Sequence, residues 1–300
     1  MNTYEEAIAK CYSTWGNTYY SDYYGDTAAY PPVQLHLLRK LLAQSSGMSL
    51  LDAGCGPASF LRNVADLGLD LYGFDLTPEM VAEAKRIFVD LRLSPSRIWA
   101  GSILEPKAFH APDNRRLFDS IICGGVMPHI SQDDDTTVAE NIFAALSPGG
   151  FCAVEARNQL FALFTLNRYS YELMMNQLIR PALLQNSFGA DPKQIETLQI
   201  EISRQFQMDL PSIRKGKNAE PGYDEVLSRT HNPFELQQVF SDAGFINLKV
   251  LFYHFHAFPP MFQSLMPEIF LKQSLAMEKD PENWRGNFMA SAFYIVGNKP

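Results

Sequence analysis

The chain has 300 residues, 46% of them hydrophobic and 19% charged, enough for a large core in one or two domains. A net charge of -8 without any run of Lys or Arg lacks the basic footprint of a protein that binds nucleic acid or anionic lipid, and favours a small-molecule partner. The four cysteines have neither CxxC spacing nor a Cys/His cluster, so no metal site is expected, and with no export signal or long apolar window the chain reads as a cytoplasmic protein with reduced thiols and no membrane span.

In chain order, residues 1–44 carry an aromatic-rich stretch, "YSTWGNTYYSDYYGDTAAYPP", whose tyrosines suit an amphipathic packing face or a covering segment. From 45 to 158, short apolar runs that end in Gly, Asp, Ser or Asn predict five strands: "SLLDAGCG", "LDLYGFDL", "SRIWAGS", "FDSIICGGV" and "FCAVEARN". Helical spacing at residues 78–91 and 135–146 alternates with them, which predicts an α/β protein with a parallel sheet covered on both faces. Residues 159–229 read as a helical insertion ending in the linker-like "IRKGKNAEPGYDE". Residues 230–300 return to the sheet, with a capped helix at 231–245 and strands in "INLKVLFYHFH" and "FMASAFYIVGN" separated by a second insertion.

The turn after the first strand holds the most specific signal. A dinucleotide fingerprint needs a third glycine five residues after Gly54, and Ser59 stands there, which disfavours an NAD-dependent oxidoreductase. What remains is Asp52 at the strand end and a GxG turn at Gly54 and Gly56, where missing Cβ atoms let the backbone approach a ligand. Asp75, at the end of the next strand, is placed to accept from two ribose hydroxyls. Together they describe a nucleoside site without a pyrophosphate.

"LLDAGCGPA", "YGFDLTPEMVAEAK", "AGSILE", "FDSIICGGVMPHI", "ALSPGGF" and "FSDAGF" resemble, in that order, the motifs of the class I S-adenosylmethionine-dependent methyltransferases. The resemblance covers residues 45–157 and, in part, 230–256. It implies a Rossmann-like, seven-stranded, mostly parallel sheet with an N-terminal lid helix and helical caps. It also implies S-adenosylmethionine as cofactor, S-adenosylhomocysteine as product and a small-molecule acceptor. Carried onto this sequence, the cofactor residues are Asp52, Ala53, Gly54, Gly56, Asp75, Leu76, Met80 beside the adenine, Gly101, Ser102, Ile103, Cys123 and Gly124. Tyr19 or Tyr20 would close over the methionine carboxylate. Two departures stand out: Ala58 replaces the last glycine of the first motif, and Ser102 stands where the family often has an acid that accepts from the adenine amino group. Shorter strings, "RTHNPFEL", "YHFHAFPP" and "WRGNFMASAF", resemble a bacterial subgroup acting on saccharides and specialised metabolites. A protein that binds the adenosyl group without catalysis is the alternative.

An already activated methyl needs a nucleophile held in line, and a base only where that nucleophile begins protonated. His129 after the fourth strand is either that base or a structural histidine. His254 and His256, two apart in an extended segment, are the better placed candidates for that base if the acceptor is a hydroxyl or amine, on a shared face that either lines an aromatic acceptor pocket or lies exposed. Glu155, Arg157, Asn158, Arg168, His231 and Arg285 are the acceptor-side candidates. For the three arginines the choice is between internal ion pairs, with Glu155 as partner of Arg157 or Arg168, and contacts to an anionic acceptor.

Overall fold

The computed structural model describes residues 3–15, 20, 24, 30–45, 47–211 and 220–300. Seven strands form one sheet in the order β3-β2-β1-β4-β5-β7-β6. They are β1 (Ser49–Ala53), β2 (Asp70–Asp75), β3 (Ile98–Ala100), β4 (Phe118–Cys123), β5 (Leu146–Arg157), β6 (Ile246–Phe255) and β7 (Ala290–Asn298). β1 is parallel to β2 and β4, β2 to β3, and β4 to β5. β7 runs antiparallel to β5, since Gly149 and Asn158 of one chain segment bond to Lys299 and Ser291 of the other. The fold is therefore the expected α/β, Rossmann-like, mostly parallel sheet. Every residue of β1 is buried, as a strand covered on both faces requires.

The helices of the sheet region are α1 (Thr3–Tyr12), α2 (Val33–Gln44), α3 (Ser59–Arg62), α4 (Pro78–Asp90) and α5 (Asp135–Ala145). α4 starts at Pro78, whose fixed φ suits the first turn, and buries Met80, Val81, Ala84, Ile87 and Phe88 at helical spacing. The chain leaves β1 toward β2 and β3 on one side and returns to β4 on the other. A sheet that reverses its order in this way opens a crevice at the carboxyl ends of the strands flanking the reversal.

Two compact units are distinguished: residues 1–157, 213–251 and 293–300, and residues 158–212 and 252–292. The second draws on both sequence insertions. It contains helices α6 (Ala162–Thr165), α7 (Arg168–Leu173), α8 (Pro181–Phe188), α9 (Pro192–Ser203), α11 (Pro267–Met277) and α12 (Gly286–Met289), while α10 (Pro233–Asp242) belongs to the first. α7 and α9 begin with Asn167 and Asp191, whose side chains accept from Tyr169 and Lys193 N–H in capping boxes. Among the described residues no helix is long and apolar enough to cross a membrane. All four cysteines are free thiols and buried.

Candidate functional site

After β1 the chain turns sharply, and the N–H groups of Gly54 and Cys55 both donate to the carbonyl of Phe74 on β2, at 2.8 and 2.9 Å. Gly54 has φ of 86°, and a Cβ there would stand 2.2 Å from Val126 Cγ2. Its missing side chain therefore serves the protein's own packing, not ligand approach as the sequence suggested. Gly56 is different: at φ of 50°, nothing lies within 4 Å of where its Cβ would be. This is the glycine that leaves room for a ligand.

Asp75 is held from two sides. Its Oδ2 accepts from Gly56 N–H and its Oδ1 from Thr77 N–H, each at 2.8 Å. A carboxylate accepts up to about four hydrogen bonds, so both oxygens keep capacity for a pair of vicinal hydroxyls. Burial raises the Asp75 pKa, and the N–H groups of Thr77 and Gly56 oppose that rise. Asp52, fully within β1, is pushed up to about 8 by burial and then by the charge of Asp75. An adenosyl ligand fits these features: an anchored ribose acid beside open space at Gly56. A pyrophosphate does not, because α3 is only four residues long and starts from Ala58 in the left-handed region at φ of 57°. Ala58 thus adopts the backbone conformation that a glycine would favour, at a modest steric cost.

At the β3 end, Asp75 pairs in register with Ala100, and Gly101 N–H donates to the Asp75 carbonyl at 3.0 Å. Ser102, buried, donates its hydroxyl to the Glu5 carboxylate of α1 and accepts from Leu104 N–H at 3.1 Å. Ile103 is buried, its carbonyl accepting from Asn141 at 2.9 Å, and Leu76 is half-buried. Met80 packs with Trp15 and Tyr223, and Tyr12 lies against that cluster.

At the ends of β4 and β5, Glu155 Oε2 accepts from Gly125 N–H at 2.9 Å, and a Cβ on Gly124 would stand 3.3 Å from the same oxygen. Burial first, then the negative charges of Asp52 and Glu155, raises the Cys123 thiol. Tyr19 lies outside the described residues. Tyr20 packs under the Arg62 guanidinium, 4.0 Å from its ring centre, so it is engaged with α3. Tyr24, stacked on Tyr20 at 5.8 Å, has its pKa raised by burial, then by Asp52 and Glu155. Tyr294 on β7 is raised by burial and then by Glu155, Tyr24 and Asp52. Two carboxylates and two phenols thus gather at the strand ends. The sequence singled out neither tyrosine, although the i, i+4 spacing of Tyr20 and Tyr24 signals one helix face, while Tyr294 reads simply as part of a late strand.

His129 is buried with both ring nitrogens engaged, Nδ1 donating to the Leu227 carbonyl at 2.7 Å and Nε2 accepting from Tyr12 hydroxyl at 2.9 Å. Burial drops its pKa to about 4. In this arrangement neither nitrogen is left to take a proton from an acceptor. Arg157 faces the Tyr223 ring at 4.9 Å and donates to Ser228 at 3.2 Å, contacts that do not involve the ion-pair partner expected for it. His231 is buried, its Nε2 3.6 Å from Asp135, which is paired to Arg229. Its surroundings are an internal charged group rather than an open acceptor surface.

The remaining predicted residues lie in the second unit. Asn158 is buried and donates to the carbonyls of Gly286, Asn287 and Ala290 while accepting from Leu160 N–H, so its amide holds backbone instead of an acceptor. Arg168 pairs with Glu172 at 3.3 Å, and Arg285 stacks on Trp284 at 5.2 Å. Arg285 is exposed and Arg168 half-buried, so neither is set deep in an apolar interior, and Glu172 replaces Glu155 as the partner of Arg168. His254 has φ of 56°, which breaks the extended backbone, so the two-residue alternation that would align it with His256 does not hold. His256 lies against Phe161 and Phe270, at 4.7 and 5.7 Å between ring centres. Burial drops His254 to about 4 and lowers His256. Among the described residues no three His, Cys, Asp or Glu side chains group to hold a metal ion.

A methyltransferase domain family matches residues 51–152. Ubiquinone biosynthesis O-methyltransferases resemble the chain more narrowly. The protein from Xanthomonas axonopodis pv. citri is 27% identical over 135 residues, 45% of this chain and 53% of that one, and the protein from Azoarcus sp. is 25% identical over 45% and 55%. The chain spans about half the length of the curated relatives it matches. In fold it is similar to Haemonchus contortus phosphoethanolamine N-methyltransferase 2 in complex with S-adenosyl-L-methionine, at a TM-score of 0.51 and 14% identity over 100% of this chain and 60% of that one. Synechocystis magnesium protoporphyrin IX methyltransferase with bound SAH gives a TM-score of 0.51 and 12% identity over 99% of both chains. Residues 51–152, which carry the GxG turn and Asp75, thus match a methyltransferase domain family, and the sheet around them has the fold of S-adenosylmethionine-dependent methyltransferases.

Proposed function

We propose that the protein transfers a methyl group from S-adenosylmethionine to an oxygen of a small-molecule acceptor. The observation that carries this reading is Asp75, fixed by Gly56 and Thr77 N–H beside the open face of the glycine turn. The names of the curated relatives favour an oxygen nucleophile from a ubiquinone-type pathway over the saccharide that the short C-terminal strings suggested.

When bound, the cofactor supplies a sulfonium methyl already activated for displacement. Asp75 holds the ribose, Gly56 gives the nucleoside room, and Asp52 lies at the strand end next to it. The acceptor then has to be oriented in line and shielded from water. If its oxygen starts as a hydroxyl, a base must take the proton, and we assign that role to Glu155, which stands at the end of β5 with Tyr24 and Tyr294 near it. His129 acts as a tether. The insertion from 159 to 229, which follows β5 in the chain, is proposed to select the acceptor. The buried free thiols suit a cytoplasmic setting.

The test begins with calorimetry on S-adenosylhomocysteine and NAD, where binding of the first and none of the second is expected. Turnover is then measured with hydroxylated quinone precursors and with nucleotide-linked sugars. Methylation only of the sugars would replace the proposed acceptor class. Binding without turnover of any acceptor would favour an adenosyl-binding protein without catalysis.

A further inference from the structure

The β3 end of the site lacks an acid on its own strand, yet it does not lack a carboxylate. Along the sheet from β1 to β3, the chain presents the glycine turn, then Asp75, then Ser102. With the ribose on Asp75 and the turn occupying the β1 side, the base of a nucleoside extends toward β3, the strand on which α4 packs, and α4 buries its Met80 against Trp15 and Tyr223. The carboxylate at that end is Glu5, carried in by α1. It is buried at 8% exposure and held by the Ser102 hydroxyl, which is itself fixed by Leu104 N–H. α1 is docked there by one face: Glu5 on Ser102, Ile8 and Cys11 against Val226, Tyr12 on His129, and Trp15 beyond its end against Met80. The spacing of Glu5, Ile8, Tyr12 and Trp15 is that of a single helical stripe, so Glu5 is placed by the packing of the whole helix.

We propose that Glu5, oriented by Ser102, reads the exocyclic amino group of the cofactor's base, so that the N-terminal helix supplies the acceptor that β3 does not. This rests on the cofactor reading above. An ionised carboxylate only accepts hydrogen bonds. It therefore favours the 6-amino group of adenine and opposes the 6-oxo group of hypoxanthine, which would turn lone pairs toward it.

The experiment compares the affinities of S-adenosylhomocysteine and S-inosylhomocysteine by calorimetry on the full chain. Wild type is expected to prefer the adenine compound by about 10- to 100-fold, the range of one hydrogen bond to a charged group. In Glu5→Gln the amide offers both a donor and an acceptor, and the two affinities should converge to within a few-fold. A folded Glu5→Gln protein with the wild-type ratio would show that Glu5 only tethers the helix, because a tether alters both affinities alike. If Glu5→Gln does not fold by circular dichroism, the ratio is measured on Ser102→Ala, where a smaller ratio supports the assignment and an unchanged one overturns it. Wild type that binds neither compound overturns the cofactor reading itself, and this assignment with it.

Discussion

Asp75 has two tasks that one substitution separates only by magnitude. Its carboxylate carries two backbone N–H groups and, in the proposed complex, two ribose hydroxyls. Asp75→Ala is expected to lower affinity for S-adenosylhomocysteine by ~2–4 kcal/mol and stability by ~1–3 kcal/mol, the second through the unsatisfied N–H groups of Gly56 and Thr77. Calorimetry and urea unfolding measure the two effects independently, and an unchanged affinity in the folded variant would move the ribose elsewhere. Asp52 makes a prediction in pH. Its folded pKa is about 8 against an ordinary 3.8, so between these values the folded protein holds a proton that the unfolded chain has released. Its contribution is thus favourable at acid pH and is lost as pH rises toward 8. Asp52→Asn should remove that slope, worth on the order of a few kcal/mol, from the unfolding free energy measured between pH 5 and 8. Identical slopes in the two proteins would mean that Asp52 is ionised in the fold.

Among the elements, α1 is short, and its ends suit the helix dipole, with Glu5 and Glu6 in the first turn and Lys10 in the last. Ten residues do not hold a helix in water, so its stability comes from docking. Tyr12→Phe removes the hydroxyl that His129 accepts from, and should cost ~0.5–1.5 kcal/mol and open α1 to proteolysis before the sheet. Protease resistance equal to wild type would mean that the apolar contacts of Ile8, Cys11 and Trp15 suffice. His129 adds an acid-side effect with the opposite sign to that of Asp52. Its folded pKa of about 4 lies below the usual value, so the stability it contributes is present above about 6.5 and falls as pH drops toward 4. β6 shows how one residue can undo a pattern argument. Its sequence alternates well, but the left-handed backbone at His254 ends the alternation two residues before His256.

For the whole molecule, the prediction is a footprint. Binding of S-adenosylhomocysteine should slow amide hydrogen exchange at 52–58, 75–80 and 101–103, and also in α1, because Glu5 and Trp15 bring that helix to the same site. Protection limited to the strand ends would detach α1 from cofactor binding. The alternation of strands with helices, the turn at Gly54 and Gly56, and the acid at Asp75 were all legible in the sequence, because hydrophobic period and glycine placement are local properties of the chain. The missing third glycine likewise argued against a pyrophosphate, and the four-residue α3 agrees with it. What the sequence alone did not reach are contacts between residues far apart in the chain. Glu5 lies 97 positions from Ser102, Tyr12 lies 117 from His129, and Tyr24 gains Asp52 and Glu155 as neighbours only when β1 and β5 are brought to either side of β4 in the sheet. Asn158 and His129 looked like reactive polar groups at strand ends, and only tertiary structure decided that their nitrogens are committed to carbonyls and a tyrosine. Residue type fixes what a side chain is able to bind, whereas burial and the partners brought by the fold decide which of those bonds it makes.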